Sequence, residues 1–108
     1  MRHPHSYYVY IVSNKYRSTF YIGITDDLLR RIDEHRRDAS DGFTRRYHIK
    51  YLMYFEETND VTVAIAREKQ LKNWHRPWKL NLIRSMNPRM VDLAADWFTT
   101  GDAETSSA

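Results

Sequence analysis

Tyr7-Tyr8-Val9-Tyr10-Ile11-Val12-Ser13 and Thr19-Phe20-Tyr21-Ile22-Gly23-Ile24-Thr25 are two short stretches rich in aromatic and β-branched residues, joined by the polar Asn14-Lys15-Tyr16-Arg17-Ser18. That composition favours strands, and the short polar link makes them a hairpin. On the two-residue period of a strand, Val9 and Ile11 fall in phase, as do Phe20, Ile22 and Ile24, and these are expected to face the core. Tyr8, Tyr10, Tyr21 and Gly23 then point the other way. The reading is of a half-buried sheet whose second face is lined with tyrosine.

Working outward, Thr25-Asp26-Asp27 offers an N-cap for a helix that runs to about Arg37, with Leu28, Leu29 and Ile32 as its apolar stripe. Arg31 and His35 are one turn apart on one border of that stripe. Asp38 to Phe43 contains Gly42 and reads as a loop that leads into the basic Thr44-Arg45-Arg46-Tyr47. Tyr51 to Glu56 has the look of a third strand. Thr58-Asn59-Asp60 caps a second helix from about Val61 to Trp74. Pro77 ends or restarts it, because proline lacks a backbone donor and suits a first turn. Trp78 to Met86 is expected to be a shorter helix with Leu80, Leu82 and Ile83 in the core, and Met90 to Phe98 a last short one packing through Val91, Leu93 and Trp97. This is an α+β pattern in one domain, residues 7–98. Residues 1–6 are expected to be a flexible lead-in and 99–108 a flexible polar tail.

The chain has 108 residues, room for one modest core. It contains no cysteine, which excludes disulfides and thiolate metal sites. No apolar run is long enough to span a bilayer, and the N-terminus lacks the layout of an export signal, so the expected location is the cytoplasm. A net charge of +3 is small, but Arg30, Arg31, Arg36, Arg37, Arg45, Arg46 and Lys50 crowd one stretch, and Lys69, Lys72, Arg76 and Lys79 another. Clustered cations suit a polyanion, since phosphate neutralisation releases counterions. Asp33, Glu34 and Asp38 are interleaved with them, so a solvated helix face is the competing reading.

Several residues could carry chemistry. Glu68 falls in the middle of an arc formed by Val61, Ala64, Ile65 and Leu71, where a carboxylate needs a partner. That partner is either Lys72, four residues on, or a hard cation such as Mg²⁺. Tyr10 and Tyr21 are either packing residues or phenols that orient water, with Gly23 beside them allowing a ligand to come close. Arg31 is a surface residue or a fork for a phosphate. His35 packs as a neutral ring or relays a proton. Trp74, Trp78 and Trp97 are read as core rather than as stacking platforms. Taken jointly, phenols, guanidinium, imidazole and carboxylate suit phosphodiester cleavage.

The arrangement resembles the GIY-YIG endonuclease domain over about Tyr7 to Pro88. The first motif stands as Tyr8-Val9-Tyr10, with Tyr8 in place of the usual glycine, and the second, Tyr21-Ile22-Gly23, is intact. Arg31, His35 and Glu68 (in Arg67-Glu68-Lys69) match the family's helix arginine, its histidine-or-tyrosine position and its metal-binding glutamate. Lys72-Asn73-Trp74-His75-Arg76 and a late Asn-Pro are similar to the small stand-alone bacterial members. The resemblance implies a three-stranded antiparallel sheet flanked by three to four helices and a one-metal hydrolysis of DNA. In it Tyr10 handles the water, Tyr21 and Arg31 hold the phosphate, His35 assists, and Mg²⁺ (or Mn²⁺) sits on Glu68. Two asparagines, Asn81 and Asn87, compete for a further active-site position. Arg30, Arg45, Arg46 and Lys72 are the expected DNA contacts, and a protein partner could supply targeting. The alternatives are a non-catalytic nucleic-acid-binding module and an adaptor for an acidic protein.

Overall fold

The computed structural model describes residues 5–39 and 42–98. Its elements are β1 (Tyr7–Ser13), β2 (Phe20–Thr25), α1 (Leu28–Arg36), α2 (Gly42–Arg46), β3 (Tyr51–Thr58), α3 (Val61–Lys72) and α4 (Arg76–Met86). The strands form one antiparallel sheet in the order β2-β1-β3. The architecture is therefore α+β, a three-stranded antiparallel sheet with four helices. Among the described residues no helix is long and apolar enough to cross a membrane. The expected flexible tail, 99–108, lies outside the described residues, as does the expected flexible lead-in, 1–6, except for residues 5 and 6.

Each element follows from local chemistry. Asn14 closes the hairpin: its amide N–H bonds the Thr19 carbonyl, and its side-chain oxygen accepts from Ser18 and Thr19. Arg17 takes the left-handed conformation within that turn, at φ 57°. Asp27 caps α1 by accepting from the Arg30 amide, and Asp60 caps α3 by accepting from Thr62. Proline in the first turn of α4 costs no helical hydrogen bond.

The alternation in the hairpin is as the sequence indicates, but the sheet is buried on both sides. On one face Val9, Ile11, Ile22 and Met53 pack with Ala64 and Leu71 of α3 and Ile83 of α4. On the other, Tyr10, Val12 and Leu52 pack with Leu28 and Ile32 of α1, Ile49 and Ala94. The tyrosine face is thus a second core, not a half-solvated surface. Helix α1 covers it because Leu28, Ile32 and His35 share one side of that helix.

Four further expectations are corrected. Leu29 is exposed and lies outside the α1 stripe. Val61 and Ile65 are exposed on α3, whose buried side is narrower, with Ala64 and Leu71 fully buried. The basic stretch expected to continue a loop is the short helix α2. The helix expected over 90–98 does not form: residues 93–98 are turns, and Val91 is exposed. These turns are tied to β3 by backbone pairing of Leu93 with Leu52 and by Asp92, whose carboxylate accepts from the Leu52 amide.

A bulge leaves Met53 without a partner on β1, between Ile11↔Tyr54 and Val12↔Leu52. The buried Asn87 amide donates to the Met53 carbonyl at 3.1 Å and to the Val91 carbonyl at 2.7 Å, and accepts from the Val91 N–H. Asn87 therefore clamps the bulge to the chain that follows α4. Asn81 is exposed on α4.

Candidate active site

Antiparallel register puts Tyr10 opposite Gly23 and Val12 opposite Tyr21. The Tyr10 ring leans across the neighbouring strand. A Cβ built on Gly23 would lie 2.5 Å from Cζ and 2.9 Å from Cε1 of Tyr10, and nearer still to the hydroxyl. The space beside Gly23 is thus filled by the phenol of Tyr10; the expectation that a ligand approaches there is corrected. No glycine among the described residues has positive φ, so close approach alone requires glycine at this position.

One turn of α1 delivers two groups to that hydroxyl. Arg31 Nε–H donates to Tyr10 Oη at 3.2 Å, and His35 Nε2 lies 3.1 Å from it. With the guanidinium donating to the phenol oxygen, His35 Nε2 is placed to accept the phenol's own proton when the ring carries its proton on Nδ1. Tyr10 and His35 are each 1% exposed. Tyr21 completes the cluster, with ring centroids 6.5 Å from Tyr10 and 5.9 Å from His35. The Tyr21 hydroxyl has no hydrogen-bond partner among the described residues and is the accessible phenol of the pair.

Arg31 Nη1 also donates to Glu34 at 3.0 Å. Burial would lower the guanidinium's pKa, but the Tyr10 and Glu34 hydrogen bonds override it and hold it above its ordinary value. Reciprocally, the Arg31 hydrogen bond, with Arg30 beside it, holds the Glu34 carboxyl below the usual carboxylate range. Glu34 lies three residues after Arg31 on one helix, a spacing that could have marked it as the orienting partner.

The structure brings Tyr10, Tyr21, Arg31 and His35 together, while Glu68 stands on another element, α3. Helix α3 packs on the Val9–Ile11 side of the sheet, opposite the Tyr10 side. The Glu68 side chain, 18% exposed, pairs through Oε2 with Lys72 Nζ at 3.1 Å. Its Oε1 has no hydrogen bond among the described residues. No three His, Asp or Glu side chains among those residues cluster closely enough to hold a metal ion by themselves.

The expected DNA-contacting cations divide in two. Arg30 is balanced by Asp27 and Glu34, and Lys72 by Glu68. Elsewhere in the basic stretch, Arg36 pairs with Asp92, Arg37 with Asp33 and Lys50 with Asp38. Arg45 and Arg46 on α2 are exposed and have no ion pair among the described residues. In the stretch from Arg30 to Lys50 most of the charge is therefore spent on carboxylates of the chain itself and α2 carries the rest, while Lys69, Arg76 and Lys79 also have no ion pair among the described residues.

Comparison with known proteins gives the following. Residues 6–81 match the model of the GIY-YIG catalytic domain. A UPF0213 protein of Haloquadratum walsbyi is 34% identical over 76 residues, which cover 70% of this chain and 84% of that protein. A UPF0213 protein of Staphylococcus aureus is 32% identical over 79 residues, covering 73% and 95%. The solution NMR structure of a UPF0213 protein from Bacillus halodurans aligns with a TM-score of 0.48 at 23% identity, over 95% of this chain and 99% of that one.

Proposed function

The chain belongs to the GIY-YIG catalytic-domain family, whose function is of nuclease type, and on that premise we propose that it is a divalent-metal-dependent endonuclease that hydrolyses DNA phosphodiesters. The observation that carries the reading is the Tyr10 hydroxyl held between Arg31 Nε and His35 Nε2. A packing tyrosine has no need of a cation on one side and a proton acceptor on the other.

In this reading Arg31 and the free hydroxyl of Tyr21 face the scissile phosphate, and the guanidinium balances charge that grows on its oxygens. Tyr10 takes a proton from the attacking water as its own passes to His35 Nε2, so the proton count closes within the pair. Arg31 favours that transfer because its N–H stabilises phenolate character on Tyr10. Glu34 keeps the fork aimed.

For the metal, Glu68 offers one carboxylate with a free Oε1. Mg²⁺ is commonly held by one or two carboxylates with water and substrate phosphate filling the remaining positions, so the residue fits once Lys72 gives way. When bound there, the cation would stabilise the leaving oxygen. Strand β2 is the sheet edge that carries Tyr21, and α3 packs against it. A phosphate seated past that edge is where groups from the two faces can both reach it.

The Glu68–Lys72 ion pair favours a second reading, a nucleic-acid-binding module without catalysis. One experiment separates them: supercoiled plasmid incubated with the protein and Mg²⁺, Mn²⁺ or chelator. The hydrolase nicks with metal, and Glu68→Ala abolishes nicking while low-salt binding is retained. Nicking by Glu68→Ala at the parent rate removes the carboxylate from the mechanism. Retention on DNA with no nicking under either metal leaves the binding module.

A further inference from the structure

An aromatic path leaves the catalytic cluster and ends in a cleft. From Tyr21 it passes to Phe43 of α2, at 6.4 Å between ring centroids, and from Phe43 to Tyr47, at 5.0 Å. Phe43 is 48% exposed and Tyr47 45%. Both rings are about half exposed, so each keeps apolar surface open to a partner. Tyr47 then forms part of a cleft of about 260 Å³ between the β1–β2 link and the α2–β3 link, where Lys15, Tyr16, His48, Lys50 and Tyr51 also line it.

The chemistry of that cleft is aromatic and cationic. Lys15 has no ion pair among the described residues, and its ammonium lies 5.3 Å from the Tyr16 ring centroid. Arg46, also unpaired there, sits 5.6 Å from the Tyr47 ring centroid. Lys50 is fixed by Asp38 at 3.1 Å, with His48 Nδ1 3.8 Å from the same carboxylate oxygen. Flat rings flanked by free cations recognise a base and its phosphate. A cleft of about 260 Å³ has room for a single nucleotide and not for a double helix.

We propose that this cleft is a second nucleotide subsite, which takes an unpaired nucleotide of the cut strand, its base against Tyr47 and Tyr16 and its phosphate on Lys15. Phe43 carries the strand to it from Tyr21. The proposal rests on the nuclease reading, and names single-stranded character beside the cut as what the protein selects.

The test measures binding in chelator, where no cutting occurs, by fluorescence anisotropy of a labelled single-stranded oligonucleotide and of a duplex of equal length. Tyr47→Ala is expected to weaken single-strand binding about tenfold, in the range seen for loss of one stacked base. It should leave duplex binding within about twofold, and Tyr47→Phe should restore the affinity. Lys15→Ala should lower the single-strand salt slope by about 0.7. Parent-like single-strand binding by both Tyr47→Ala and Lys15→Ala overturns the subsite, as does an equal loss on single strand and duplex. Should Tyr47→Ala fail to fold, Lys15→Ala decides alone, because Lys15 is exposed in the hairpin link. Nicking by the parent chain, assayed separately with metal, keeps the two ideas apart. Variant-sensitive binding without nicking leaves the subsite and removes hydrolysis, and nicking with variant-insensitive binding does the reverse.

Discussion

Gly23→Ala changes one hydrogen to a methyl group at the point where Tyr10 crosses β2, and its effect can be worked from the geometry. In an open strand the change would help by about 0.5–1 kcal/mol, because alanine loses less backbone entropy than glycine on folding. Here the new Cβ overlaps the Tyr10 hydroxyl and lies 2.5 Å from Cζ. The ring cannot yield freely: it is 1% exposed and its hydroxyl is held by Arg31 and His35. Overpacking of a filled core costs about 1–3 kcal/mol, and two hydrogen bonds lost or stretched add about 1 kcal/mol each. The clash therefore wins over the entropy gain, for a net loss of about 2–4 kcal/mol. Urea unfolding followed by tryptophan fluorescence should show the midpoint falling by about 1–2 M, taking a slope of about 2 kcal/mol/M for a chain of this size. Nicking should drop by about a hundredfold, the scale of a misplacement near 1 Å. The decisive control is the same substitution in a Tyr10→Ala background, where nothing remains to clash and Gly23→Ala should be neutral or stabilising. An equal cost in both backgrounds would refute the reasoning.

Two further outcomes follow from the charges. Burial, and then the Glu56 carboxylate that accepts its hydroxyl, push Tyr54 up to about 12. A phenol raised in the folded state gives stability that is complete below its unfolded pKa near 10 and lost as pH rises through about 12. Alkaline titration of stability should show a loss on the order of 3 kcal/mol across that window, and Tyr54→Phe should flatten it; an unchanged slope places the titration elsewhere. Arg45→Ala with Arg46→Ala should weaken duplex DNA binding and reduce the magnitude of its log–log salt slope by about 1.8, two phosphate contacts at roughly 0.9 each. A parent-like slope would remove α2 from the DNA-facing surface.

Much of the site was legible in one dimension because strand and helix periods are local rules. Tyr10 and Tyr21 fall on one strand phase, and Arg31 and His35 are four apart on a helix; register and one helical turn were enough to bring the four together. Glu68 shows where such rules stop. Helical spacing gave its neighbours on α3, including Lys72, but not the side of the sheet that α3 would cover. Clustered arginines likewise overstated the charge offered to a polyanion. Whether Arg36 is free depends on Asp92, 56 residues away, and no local pattern pairs them.

By itself, the order of residues determined the elements, the hairpin phase and the identity of the reactive groups, since each depends on neighbours within a few positions. Tertiary structure alone decided that the tyrosine face is a second core, that Gly23 makes room for Tyr10 instead of a ligand, and that Arg45 and Arg46 of α2 stay unpaired beside an aromatic path. Those outcomes turn on which surfaces meet. Contact between segments far apart in the chain is set by packing the whole of both cores at once, which no single stretch encodes.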